Sequence, residues 1–163
     1  MWNKKSIAGG ILLFAIVGIY FEDQMEFGWG YSVNWLGGIE YNVTRHEKVI
    51  VGGAIFDYQQ VSGFLIGIKL PAKEIQCGRK FMRVVSDIKT YFVLDLDATQ
   101  VTEYLIWTDF ERVVKSLSDN VEIRLKYKII DDIIKYGNRI DDDKEYFGCI
   151  KNNGLLGRKV IRL

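Results

Sequence analysis

From Gly38 to Trp107 the chain is a succession of β-branched and aromatic runs whose interruptions are only a few residues long. The runs are Gly38–Arg45, Lys48–Tyr58, Gly63–Leu70, Lys80–Ser86, Thr90–Asp95 and Gln100–Trp107. They break at His46-Glu47, Gln59-Gln60, Pro71-Ala72, Asp87 and Asp97-Ala98. Parallel neighbours need a crossover of about a dozen residues or more. Breaks this short therefore predict antiparallel strands. The pair Gly52-Gly53 inside the second run predicts a bulge or bend.

Helical signals gather late. Thr108-Asp-Phe-Glu111 has capping-box spacing, and Phe110, Val113, Val114 and Leu117 follow on one helical face. Ile123, Leu125, Tyr127 and Ile129 alternate with Arg124, Lys126 and Lys128, which is strand period. Ile129, Ile130, Ile133 and Ile134 then read as a short helix. Asp141–Asp143 is expected to open a last helix closed by Gly154, and Lys159–Leu163 to form a final strand. The fold class expected is α+β: an N-terminal membrane or signal helix, then one antiparallel sheet of five to seven strands with C-terminal helices.

The N-terminus has its own pattern. Lys4-Lys5 precedes an apolar run of 15 residues, Ile7–Phe21, carrying Ile7, Leu12, Leu13, Phe14, Ile16, Val17 and Ile19. Glu22, Asp23 and Glu26 follow it. As a helix the run reaches roughly 22 Å against a hydrocarbon layer of about 30 Å. Snorkelling lysines and interfacial Trp2, Tyr20 and Phe21 extend that reach. Three readings stand: an uncleaved signal anchor, a cleaved signal peptide without an Ala-x-Ala site, and a buried core helix. The first two export the bulk of the chain. The organisation expected is a leader at 1–21, an aromatic and Gly-rich connector at 22–38, with one short strand at most, and a single domain at 39–163.

Net charge is +1, without a basic or acidic block, which removes the electrostatic case for nucleic acid. Cys77 and Cys149 are the only cysteines. In an exported domain they form a disulfide; otherwise they are two buried thiols, and both readings are open. Their spacing fits no metal pattern, and no cofactor motif is present. His46 has no nucleophile near it in sequence and reads as a turn residue. Arg124, Lys126 and Lys128 make a basic stripe, read either as a solvated strand face or as a contact for an acidic partner or anionic headgroups.

Asp95-Leu-Asp97-Ala-Thr99, after the apolar Tyr91–Leu94, resembles the first motif of the haloacid-dehalogenase phosphohydrolases. The resemblance implies Asp95 as nucleophile, Asp97 as acid/base, Mg²⁺ as cofactor and Asp131 or Asp132 as a late metal ligand. That family builds a doubly wound parallel domain after the motif, and only 66 residues follow Asp97. The competing reading is a hairpin turn.

Tyr91–Leu117, read as strand, Asp turn, strand and capped helix, resembles a stretch of small bacterial envelope proteins, including immunity proteins encoded beside toxins. The resemblance implies a non-enzymatic binding protein anchored in the inner membrane and facing the periplasm, with a protein partner such as a cognate toxin. It assigns no site residues. The other reading of the same features is a structural or accessory subunit of an envelope assembly.

Overall fold

The computed structural model describes residues 24–37, 40–118, 121–126, 128–140, 145–154 and 159–162. Strands β1 (Gln24–Phe27), β2 (Tyr31–Gly37), β3 (Glu40–Arg45), β4 (Lys48–Val61), β5 (Phe64–Leu70), β8 (Thr90–Asp95) and β9 (Gln100–Tyr104) form a seven-stranded sheet in that order. A second sheet of four strands has the order β10 (Asn138–Arg139), β11 (Val160–Arg162), β7 (Lys80–Ser86), β6 (Ala72–Cys77). Every pairing among the described residues is antiparallel. Helices α1 (Trp107–Leu117), α2 (Lys128–Tyr136) and α3 (Phe147–Asn152) come late in the chain.

The expected single sheet is thus corrected to two. The 22–38 stretch is not a loop with one short strand, because Gly28–Gly30 turns tightly enough to pair β1 with β2. The second sheet arises from a strand hidden behind Pro71. Proline cannot donate to a ladder, but it is tolerated just before a strand, and Ser86 N–H bonds the Pro71 carbonyl at 2.9 Å. Gln59-Gln60 is no break either; β4 runs on to Val61 and turns at Ser62-Gly63.

β4 organises the larger sheet. Its first half pairs with β3 and its second half with β5. The register slips where Tyr41 opposes Ile55 but Val43 opposes Val51, and Gly53 there has φ +105°. A side chain at that φ would be strained, so the glycine permits the bend. The first half-sheet (β1–β3 with the start of β4) folds over the second (the end of β4 with β5, β8 and β9). Tyr31, Val33, Val43 and Val51 from one half pack with Ile55, Leu65, Phe92, Leu94 and Leu96 from the other. A hydrogen bond demonstrates the folding-over: Tyr31 Oη on β2 donates to Thr99 Oγ1, beside β9, at 2.9 Å. Five strand spacings separate β2 from β9 in the sheet order, about 24 Å if the sheet were flat.

The outer face of the first half-sheet is polar, with Ser32, Asn34, Asn42 and Thr44 linked by side-chain hydrogen bonds of 2.8–3.4 Å. The second half-sheet is covered on both faces. Ala54, Phe56, Ile66, Ile68, Tyr91 and Val93 on its outer side pack with Phe110, Val114 and Ile130 of α1 and α2 and with Val85 and Ile161 of the small sheet. The small sheet's other face buries Ile75, Met82, Val84 and Val160 with Ile150 of α3.

Two helical expectations change. α1 begins two residues early, with Ile106 as N-cap and no side-chain cap bond, so Thr108-to-Glu111 is not a capping box. Glu111 instead pairs with Lys115 one turn on, at 2.7 Å. Phe110 and Val114 are buried as the helical face requires. The strand expected over Ile123–Ile129 has no backbone ladder up to residue 126 and is helix from Lys128. The strand-like alternation survives because β4 side chains replace the ladder. Gln59 Nε2 donates to the Glu122 carbonyl, Gln59 Oε1 accepts from Arg124 N–H, and Asp57 accepts from Lys126 N–H. The last helix is Phe147–Asn152, followed by Gly154 at φ +70°; its expected start at Asp141–Asp143 lies outside the described residues.

Candidate functional site

The bend at Gly52-Gly53 gives the folded sheet two unlike ends. At the bend lie Gln24, Asn42, Leu70 and Thr90, level with one another through the strand registers. At the far end the two half-sheets meet at their turns like a clasp, where Tyr31 and Arg45 reach Thr99. The turns there are β1–β2 and β3–β4 from one half, and β4–β5 and β8–β9 from the other.

Backbone strain collects at the clasp. The non-glycine residues with positive φ among the described residues are Trp29 (66°), His46 (48°), Glu47 (65°), Ser62 (53°) and Thr99 (56°). All belong to these turns. Left-handed conformations cost free energy in L-residues and persist where the surroundings enforce them, often at sites of function.

The side chains form a compact polar knot. Arg45 lies over the Tyr31 ring, 5.0 Å from its centroid, and donates from Nη1 to Thr99 Oγ1. Thr99 therefore accepts from both Tyr31 and Arg45. Arg45 Nε is buried without a hydrogen-bond partner, an uncommon and costly state for a charged donor. His46 packs on Gly30, where a Cβ would stand 3.0 Å from its ring. Trp29 projects beside them and is 47% exposed. An exposed Trp with Arg and Tyr behind it is the composition of a binding hot spot. The sequence marks His46 as a turn residue and places Trp29 and Tyr31 in the aromatic 22–38 stretch. Nothing in the sequence pairs Arg45 with Thr99, 54 positions away.

The other candidates fall elsewhere. Asp95 Oδ1 accepts the backbone N–H of Asp97 at 2.9 Å and of Ala98 at 2.8 Å, which makes it the keystone of its own hairpin turn. β8 has antiparallel neighbours on both sides, β5 and β9, where the phosphohydrolase arrangement requires parallel ones. Asp131 is engaged by Lys89 at 2.6 Å. Among the described residues no group of three or more His, Cys, Asp or Glu could hold a metal ion. The basic stripe is divided: Arg124 pairs with Glu122 at 2.8 Å, Lys126 is exposed, and Lys128 opens α2. Cys77 and Cys149 are joined in a disulfide that ties β6 to α3. The apolar run with Ile7, Leu12, Leu13, Phe14, Ile16, Val17 and Ile19 lies outside the described residues, and no described helix is long and apolar enough to cross a membrane.

Two tyrosines near the helices and the bend are perturbed. Burial raises the Tyr58 hydroxyl pKa, with Tyr41 and the Asp57 carboxylate adding to the effect. Burial likewise raises Tyr91, with Lys89 opposing and Asp131 reinforcing.

Set against known protein families, curated proteins and solved structures, the chain matches none of them.

Proposed function

We propose that the chain is a membrane-tethered binding protein of the bacterial envelope that presents the clasp to a protein partner, and that this partner is a toxin it occludes. The observation that carries the reading is the coincidence, at one end of the sheet, of the left-handed turn residues, the buried unpaired Arg45 Nε and the exposed Trp29. That end is the one farther from Gln24, where the chain arrives from the apolar N-terminal run. A tether at one end and a strained, aromatic surface at the other suit a protein that meets its partner outside the membrane. The Cys77–Cys149 disulfide supports an oxidising compartment.

The test is protection. Cells lacking the chain are exposed to the secreted product of the neighbouring gene, with the wild-type chain, Trp29→Ala or Arg45→Ala supplied in trans. Protection by the wild type and its loss in both variants, at unchanged protein level, is the expected result. A photo-crosslinker at position 29 should trap the same product. Crosslinks to an envelope assembly, with no toxin sensitivity in the deletion strain, would transfer the protein to the accessory-subunit reading.

A further inference from the structure

The opposite end of the sheet carries a second surface. At the bend, three large apolar side chains face water: Ile88 is 54% exposed, Leu105 69% and Ile106 59%. The register brings them together. β8 begins at Thr90 and β9 ends at Tyr104, whose partner is Tyr91, so Ile88, two residues before the one strand, and Leu105 and Ile106, directly after the other, leave the sheet at the same end. Through Lys69 opposite Thr90, Ile55 opposite Lys69 and Ile55 opposite Tyr41, this level of β8 leads back to the level of Asn42, Asn34 and Gln24. The apolar rim thus stands at the end of the sheet where β1 begins.

Chain length fixes what lies against it. Only Glu22 and Asp23 separate Phe21, the last residue of the apolar run, from Gln24. Three Cα steps cover at most roughly 11 Å. If the run ends at the edge of the hydrocarbon, the bend is held within the thickness of the headgroup layer. Apolar side chains at such an interface insert about 5–10 Å, to the headgroup–acyl boundary.

Resting on the membrane-tethered reading above, we infer that Ile88, Leu105 and Ile106 form a bilayer-docking rim, which seats the domain upright on the lipid surface and holds the clasp away from it. The occupant of this apolar patch is lipid. Tethering makes the contact intramolecular, so even a weak insertion is populated.

The experiment uses the full oxidised chain in nanodiscs of phosphatidylethanolamine and phosphatidylglycerol. A nitroxide is attached to Leu105→Cys, to Ile88→Cys or, at the clasp end, to Val49→Cys. Collisions with oxygen report lipid and collisions with a water-soluble nickel chelate report water. The expected result is loss of nickel accessibility at 105 and 88 relative to detergent-free aqueous controls, with full nickel accessibility at 49. Because two rim positions are read, a folding failure at one leaves the other decisive. A chain that floats with liposomes but keeps both rim labels in water overturns the docking rim alone. A chain that does not float at all overturns the tether, and the rim with it.

Discussion

Lys69 Nζ donates to the carbonyl oxygen of Gly52 at 3.1 Å, so a cation sits where β4 bends. Its other partner is Glu103 Oε1 on β9, at 2.6 Å. A bulge leaves a carbonyl outside the ladder, and a buried carbonyl needs a donor. The next carbonyl, of Gly53, is met by Arg83 Nη2 at 3.4 Å. The Lys69 side chain is only 10% exposed while Glu103 is 49% exposed. Solvent therefore screens the carboxylate more than the ammonium. Glu103→Leu should cost about 1–2 kcal/mol, less than full burial would imply. Lys69→Met should cost more, about 3 kcal/mol, since it also orphans the bulge carbonyl. The double variant should lose less than the sum, as urea denaturation of all four proteins will show.

The amide of Gln59 imitates a peptide group. It accepts from Arg124 N–H at 2.9 Å and donates to the Glu122 carbonyl at 2.9 Å. Gln59→Ala removes both bonds on an exposed surface, where water replaces them, so the loss should be about 1 kcal/mol. The sharper readout is local. Hydrogen exchange at Arg124 should accelerate while the β5–β8 ladder stays protected. Equal protection of Arg124 in variant and wild type would remove the imitation ladder from the account.

That segment also shows where the sequence stops being legible. Strands β7 and β8 match their runs at both ends, because β-branched residues between turn signals need no long-range information. Leu125 is buried and its neighbours alternate as strand period predicts. What alternation does not encode is the source of the hydrogen bonds, and here they come from Asp57 and Gln59, more than 60 positions away. The second sheet was hidden for a similar reason: Lys73, Glu74 and Gln76 make β6 look like a polar loop, although Ile75 is buried in the core with Ala72 and Cys77 packed at its margins. The clasp was the least legible of all. Its knot depends on the half-sheets folding over, and the only local sign of that was Gly52-Gly53.

Gly67 is a matter of space rather than conformation. A Cβ there would lie 2.5 Å from the Phe92 ring and 2.9 Å from the Asp57 carbonyl. Phe92 is fully buried between the half-sheets, and a backbone carbonyl cannot step aside. Gly67→Ala should therefore destabilise by about 1–3 kcal/mol through overpacking. Phe92→Leu on the same chain should recover part of the loss, since it removes one of the two clashes. A thermal melt of Gly67→Ala at or above the wild-type midpoint would contradict the close approach.

The buried tyrosines give the fold an alkaline limit. The pKa of Tyr58 and of Tyr91 is raised above the ordinary 10.0, chiefly by burial. Below pH 10 both are neutral in the folded and unfolded chain, and their contribution is fully present. As pH rises past 10 the unfolded chain ionises first, and that stability is lost through the folded-state pKa values. Midpoints measured between pH 8 and 12 should fall less steeply in Tyr58→Phe and Tyr91→Phe than in the wild type. Parallel curves would assign the alkaline loss to other groups.

The disulfide closes a loop of 72 residues between β6 and α3. In the loop-entropy description a closure of this length contributes on the order of 4 kcal/mol, acting on the unfolded chain. Locally it holds α3, a helix of six residues, against Ile75 and Met82. A helix this short has little stability of its own. Reduction should therefore act at two levels. The global melting midpoint should drop, and Cys77→Ser with Cys149→Ser should reproduce the drop without reductant. Exchange protection should vanish first across residues 145–154, while β5 and β8 at the centre of the larger sheet keep theirs. If α3 remains as protected after reduction as before, its packing holds it and the covalent link acts only on the unfolded chain.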